Sequence, residues 1–413
     1  MGHGLLAAVN TRADRAAQWA AVALGLSIPI SVAIDNALLA IVLACWLASG
    51  AWRAKWNAIR GNRVALAALA LFGLLAIGTL YGEPHPGDAR LYLGKYLDLL
   101  FIPVFAFVLR DAAVRRRALY ALAASLALVL AMSYLIRAGL VPPVPGLHGN
   151  PQNPVFLKYS LTHNVMIAFS AFLFTQLALV AASRQVRLLW GTLAAAAAVN
   201  VTFLVPGATG YLVLGLLALY LGYTRRGWRG LGWMAGAGVA AVLVLASIPG
   251  PFQQRIEQTQ REVAEWKPGR TDLKSSFGAR LDFYRNSLAI LREHPLAGVG
   301  TGGFPKAYAD RVRGTEAYLA RNPHNEYFLV AIQVGMSGVL ALLYLFWTQW
   351  RFAPQLASPL ECHLARGLVL MVAAGCLLNS LLLDHTEGLL YAWLTGLLFA
   401  GLQSRDGQPA NAV

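Results

Sequence analysis

Apolar runs of span length recur along this chain, and they constrain its fold more than any other feature, because about 20 apolar residues in a helix match the hydrocarbon thickness of a bilayer. In that solvent the backbone has to satisfy its own hydrogen bonds, which selects helices here. Apolar residues fill 57% of the 413 positions and charged ones 13%, about half the charged share of a soluble domain. A mean hydropathy of +0.54 then excludes a soluble globule, a disordered chain, a collagen-like fibre and a disulfide scaffold. Spans are predicted near 16–31, 34–51, 63–81, 91–109, 117–140, 158–182, 186–205, 208–223, 230–248, 324–350, 362–383 and 387–404. The expectation is an all-α integral membrane protein with about twelve transmembrane helices. Residues 1–248 would hold nine, 249–323 one large, partly helical external loop, 324–404 the last three, and 405–413 a cytoplasmic tail.

The net charge of +15 would suggest nucleic acid in a soluble protein, but here the basic residues sit at the ends of apolar runs, where they set orientation. Eighteen of the 34 lie in alternate connections, from Arg12 and Arg15 to Arg366 and Arg405. Only Arg90, Lys95, Arg137 and Lys158 lie in the short connections on the other side. The remaining twelve belong to the long loop, which carries eight acidic residues and so a net +4. Both termini are therefore expected in the cytoplasm and the loop outside, as a basic cap suited to an anionic substrate. The first apolar stretch, Ala16 to Gly50, is read as retained spans and not as a cleaved signal. Cys45, Cys362 and Cys376 have no ligand spacing and are expected to be buried thiols.

Within the cap, helices are predicted over Phe252–Trp266 and Phe277–Glu293, broken by Pro268-Gly269 and His294-Pro295. Leu281, Tyr284, Leu288 and Leu291 would form the apolar face of the second. Arg280 opens that helix and can fork onto a phosphate, with Arg285 following it. The glycines between Gly298 and Gly303 follow a helix that ends in proline, so they fit a tight turn better than a dinucleotide loop. At the re-entry into the membrane stand Asn322-Pro323-His324-Asn325-Glu326, where a histidine can titrate near neutrality. A helix start there, with Asn322 as cap, is compatible with a functional His324. Arg90 and Lys95 sit at an outer helix end, with Asp98 in pairing distance of Lys95 along the helix; snorkelling and anion binding are both open to them. Asp384, His385 and Glu387 form an outer turn, either an acceptor-binding cluster or a solvated one. His148 and His163 are expected to be structural. No motif has metal-ligand spacing, so neither metal nor cofactor is expected.

These motifs together resemble the O-antigen ligase and polymerase superfamily of membrane glycosyltransferases. The likeness rests on the late external loop, on Ser276 to Arg280 leading into His294-Pro295-Leu296-Ala297-Gly298-Val299-Gly300-Thr301-Gly302, and on His324-Asn325-Glu326-Tyr327 followed by Gly335 and Gly338. It is strongest over 190–345. The resemblance implies a GT-C-like fold in a bacterial inner membrane and metal-independent transfer at the periplasmic face. The donor would be a glycan on undecaprenyl diphosphate and the acceptor lipid A-core oligosaccharide, with membrane lipids around and no nucleic acid. Arg280 and His324 match the family's loop arginine and histidine. Arg90, Lys95, Arg285, Asn325, Glu326, Asp384 and His385 are candidates for holding diphosphate or acceptor. One position departs from the family pattern: Gly207-Ala208-Thr209-Gly210 has Ala where members often carry Arg. Either Lys95 or Arg90 supplies that charge, or turnover is impaired. The motifs also admit a polymerase or a protein O-oligosaccharyltransferase. A flippase would place its ionisable groups near the midplane, whereas here they gather at the outer face.

Overall fold

The structure, a computed structural model, describes residues 2–144, 148–267 and 276–404. The expected Pro268-Gly269 break and the 405–413 tail lie outside the described residues. The helices are α1 (Gly2–Ser27), α2 (Val32–Ala48), α3 (Trp52–Gly61), α4 (Arg63–Ile77), α5 (Asp88–Lys95), α6 (Asp98–Val108), α7 (Ala112–Arg137), α8 (Ser160–Val180), α9 (Arg184–Val199), α10 (Ala208–Ser247), α11 (Pro251–Glu265), α12 (Ser276–Glu293), α13 (Phe304–Arg311), α14 (Glu326–Phe352), α15 (Pro359–Leu378) and α16 (His385–Phe399). A short hairpin, β1 (His148–Asn150) and β2 (Asn153–Phe156), joins α7 to α8. It is the one strand pair among the described residues, and it turns on Asn150, whose side chain accepts from the amides of Gln152 and Asn153.

The protein is an all-α, multi-pass membrane protein. Eight helices among the described residues are long and apolar enough to cross a bilayer, or nine if the pair α2 and α3, bent by 115°, is one span. The expected twelve is not reached by that measure, for local reasons. The apolar run at 208–248 forms one element bent at Arg226 and Gly227, where Gly227 has φ +57°. The bend brings the backbone of Gly230 against that of Gly222, so the two apolar stretches expected here form a hairpin of helices that is counted as one long element. α16 has only 15 residues. It is apolar all round and buried throughout its interior, with Trp393 donating to the carbonyl of Ala21 at 2.8 Å, as a central helix should be. α3 carries exposed Trp52 and Trp56 and buries Lys55 between the rings of Trp46 and Trp52. Aromatic residues of that kind suit the membrane interface.

α14 is broken at Val334 and Gly335, and the break is filled by the glycine run. The amides of Val299 and Gly300 donate to the carbonyls of Ile332 and Gln333 at 2.7 and 2.9 Å, and Met336 donates to Pro295 at 2.9 Å. Gln333 returns its side-chain oxygen to the amide of Gly302, while Thr301 bonds Gly78 and Leu75. Irregular backbone next to spanning helices is tolerated where protein satisfies it. A Cβ on Gly335, which has φ +71°, would lie 1.9 Å from the Leu296 carbonyl oxygen, so only glycine fits. The tight turn expected from these glycines is therefore also an anchor that plugs the cap into the membrane helices.

The cap helix α12 corrects its expected register. Ala279, Phe283 and Ile290 are buried, with Asp282 and Ser287 between them, whereas Leu288 is exposed. Phe283 meets Tyr308 of α13 edge-on, and Tyr284 meets Phe328 of α14. The helix is thus wedged between α13 and α14 and does not lie on one leucine stripe.

Candidate active site

The start of α14 fixes the geometry. Asn325, not the expected Asn322, is the N-cap, and its side-chain oxygen accepts from Phe328 at 3.0 Å while its amide group donates to Leu377 at 2.9 Å. Both asparagines are good caps; the left-handed backbone of His324, φ +52°, stops the helix short of Pro323 and leaves Asn322 outside it. Asn322 instead accepts from the amide of His324 at 2.8 Å and from the Ser380 hydroxyl at 2.7 Å. Between the two asparagines His324 adopts φ +52°, a left-handed conformation that costs a side chain about 1–2 kcal/mol. Its backbone is held on both sides, since the Tyr284 hydroxyl reaches its carbonyl at 3.2 Å. The ring stacks on Phe283 with centroids 5.9 Å apart and stays accessible to solvent. Desolvation by the surrounding protein and then the charge of Arg280 hold its pKa below the ordinary 6.5, so near pH 7 the imidazole is neutral and able to take a proton.

Arg280, on the first turn of α12, acts on both His324 and Tyr284. Arg285 is exposed; five residues on, it points about 140° away around the helix. The structure brings Arg280 to the histidine and leaves Arg285 to solvent.

The third wall is the turn after α15, which ends at Leu378 and not at 383 as expected. Asn379 donates to the Thr209 hydroxyl at 2.7 Å, Ser380 to Asn322, and the amide of Leu382 to Glu326 at 3.0 Å. This pins Asp384 on the same face. Burial raises the pKa of Asp384, and the charge of Lys95 partly offsets the rise. Lys95 therefore works on Asp384, and no ion pair with Asp98 forms among the described residues. The chain breaks at Tyr96 between α5 and α6, so the helical spacing expected for that pair does not persist. Arg90 and Lys95 are exposed along one open groove of about 430 Å³.

Two expected substrate contacts are corrected to internal braces. Glu326 is fully buried, with one oxygen accepting from Tyr96 at 2.6 Å and the other from Leu382, and Asn325 has spent its side chain on the cap and on Leu377. His385 lies in the field of Lys158, whose ammonium donates to Thr386 at 3.1 Å; Glu387 is buried within α16. His163 is structural, bonded to Asn200 at 3.1 Å. Tyr284 and Asn322, read from sequence only as an apolar-face residue and a helix cap, hold the site in place together with Ser380 and Asn379, which were not singled out; the polar Asn379-Ser380 pair interrupting a leucine-rich run was the available signal.

A cavity of about 890 Å³ lies at the other end of α12, beside Tyr81 and His294. Its lysine is already paired, Lys306 with Glu83 at 3.4 Å and Asp310 at 3.3 Å. The accessible, electrostatically tuned His324 is the stronger candidate for a chemical role. Among the described residues no group of three or more His, Cys, Asp or Glu is placed to hold a metal.

Residues 193–343 match the family model described as O-Antigen ligase. The matched stretch includes Ala208, α12, the glycine run and His324, and it supports a membrane glycosyltransferase-like ligase or polymerase. No curated protein matches the chain. Among solved structures, a chain from "Structural coordination of polymerization and crosslinking by a peptidoglycan synthase complex" aligns at a TM-score of 0.47 and 18% identity, covering 83% of this chain and 97% of that one.

Proposed function

We propose that this protein transfers O-antigen glycan from undecaprenyl diphosphate to lipid A-core oligosaccharide at the periplasmic face of the inner membrane, by direct displacement. The observation that carries this reading is the pinned, accessible, neutral imidazole of His324 beside the Arg280 guanidinium. His324 takes the proton of an acceptor hydroxyl as that oxygen attacks the anomeric carbon. The carbon–oxygen bond to diphosphate breaks, and the electron pair leaves with the diphosphate. Arg280 stabilises the charge that develops there, and the groove of Arg90 and Lys95 supplies further cations at the outer end of α5. Asp384 orients the acceptor, its proton affinity balanced between burial and Lys95.

Ala208 belongs to the same face. It is exposed at the start of α10, next to Thr209, which is bonded to Asn379. The family pattern often has an arginine at this position, so here the cations are those of Arg280, Arg90 and Lys95.

The test is transfer from a defined lipid-linked glycan to purified core lipid, with the anomeric configuration of the product determined. Inversion is expected; retention would require a covalent intermediate and overturn direct displacement. A polymerase of the same superfamily would extend a second lipid-linked repeat and leave core lipid untouched.

A further inference from the structure

At the face of the membrane domain opposite His324 lies a second polar cluster that the transfer reaction does not use. Arg225 is sixteen residues along α10 from Thr209, about 24 Å away at 1.5 Å per residue. Near it, His363 of α15 bonds the Tyr220 hydroxyl at 3.1 Å, and the charges of Arg366 and Arg225 both act on its ring. The Arg366 guanidinium lies 5.0 Å over the Trp350 ring, and its Nε is buried with no hydrogen-bond partner. Glu361, the nearest carboxylate in sequence, is engaged by Arg115 at 3.3 Å and by the amide of Ala357. Among the described residues no carboxylate pairs with Arg225 or Arg366.

Arg225 and His363 stand at the mouth of an apolar groove, with Arg366 acting on the His363 ring behind them. A pocket of about 130 Å³ lined by Thr224, Arg225 and His363 shares Leu179 and Leu221 with a cavity of about 360 Å³ between α8, α9 and α10. The cavity exists because α9 presents Gly191, Ala194 and Ala198 to it. A Cβ added at Gly191 would meet nothing within 4 Å, so this glycine leaves space instead of allowing a close helix contact.

We infer that these adjoining spaces bind one anionic phospholipid, its phosphate held by Arg225 with the Arg366 charge behind it, and an acyl chain lying along α9. Charge decides the headgroup class, because arginines at a membrane face that no carboxylate neutralises attract anionic lipid, and the guanidinium fork suits phosphate oxygens. The apolar extension distinguishes a lipid from a free anion, which would leave the groove empty. The site is independent of the glycan chemistry.

The experiment uses the full chain in mild detergent, exposed to phosphatidylglycerol, phosphatidylethanolamine or inorganic phosphate. Native mass spectrometry counts bound lipid, and thermal unfolding reports stabilisation. One phosphatidylglycerol should be retained in preference to phosphatidylethanolamine. Arg225→Ala and Arg366→Ala should each weaken its binding roughly fivefold. Gly191→Phe should weaken it while leaving every charge in place, and Arg285→Ala in the cap should change nothing. Since Arg366→Ala also loses the Trp350 contact, the exposed Arg225 carries the test if that variant fails to fold. Equal retention of the two lipids, equal stabilisation by inorganic phosphate, or unchanged binding in Gly191→Phe would each overturn the proposal.

Discussion

The cap meets α14 at two places, and they are built for opposite purposes. At the glycine run, irregular backbone lies against a broken helix, and the freed carbonyls of Ile332 and Gln333 find partners in Val299 and Gly300. At 322–325 the backbone is equally constrained, with His324 in a left-handed conformation held by Asn322 and Tyr284. There the ring is left accessible and tuned by Arg280. Irregular backbone in the first case is architecture. In the second it aims a titratable group, which is where strain tends to be kept in functional sites.

Substitutions should separate the two junctions. The largest effect is expected from His324→Ala, which should lower turnover by about 10²–10⁴-fold without lowering the unfolding midpoint. His324→Gly should be as inactive and yet equal or exceed the wild type in stability, by up to about 1 kcal/mol, because glycine accepts the left-handed backbone. A clear loss of stability in that variant would mean that the ring is a packing element. Next comes Arg280→Ala, with a loss of about 10²-fold or more and a shift in the pH profile. The neutral imidazole is the active form, so activity falls as pH drops through a His324 pKa held below 6.5. Removing the Arg280 charge raises that pKa, and the acid limb should move to higher pH; an unmoved limb would contradict the coupling.

The glycine junction should answer in stability. Gly335→Ala places a Cβ against the Leu296 carbonyl and should cost on the order of 3 kcal/mol, read as reduced folded yield and a lower midpoint, with activity falling only in step with folded protein. Ala208→Arg should raise turnover several-fold through an added cation near the leaving diphosphate. The smallest effect is expected from Arg285→Ala, whose exposed side chain leaves both rate and stability within error of the wild type.

Much of this was legible in the sequence because the bilayer makes hydropathy informative. The apolar runs, the helix pair at 208–248 and the glycine turn all rest on local signals. His324 is a candidate for the same reason, as an ionisable group at a span boundary, and its role is the proposal tested below. What failed was long-range. Glu326 looks like a substrate ligand until Tyr96, 230 positions away, is found bonded to it. The cap helix has two apolar stripes, and which one is buried depends on where α13 folds. Two asparagines three residues apart offer equivalent caps, and the left-handed backbone of His324 between them, which sequence does not announce, decides their roles. Lys95 and Asp98 have helical spacing, but the helix breaks between them.

The central claim is that the 322–325 junction is chemical and not merely structural. The most direct measurement is the rate of glycan transfer by purified, folded His324→Ala from a defined lipid-linked donor to core lipid, set beside the wild type at equal folded protein. A loss of at least about 100-fold at an unchanged unfolding midpoint is the predicted result. Transfer within a few-fold of wild type would contradict it.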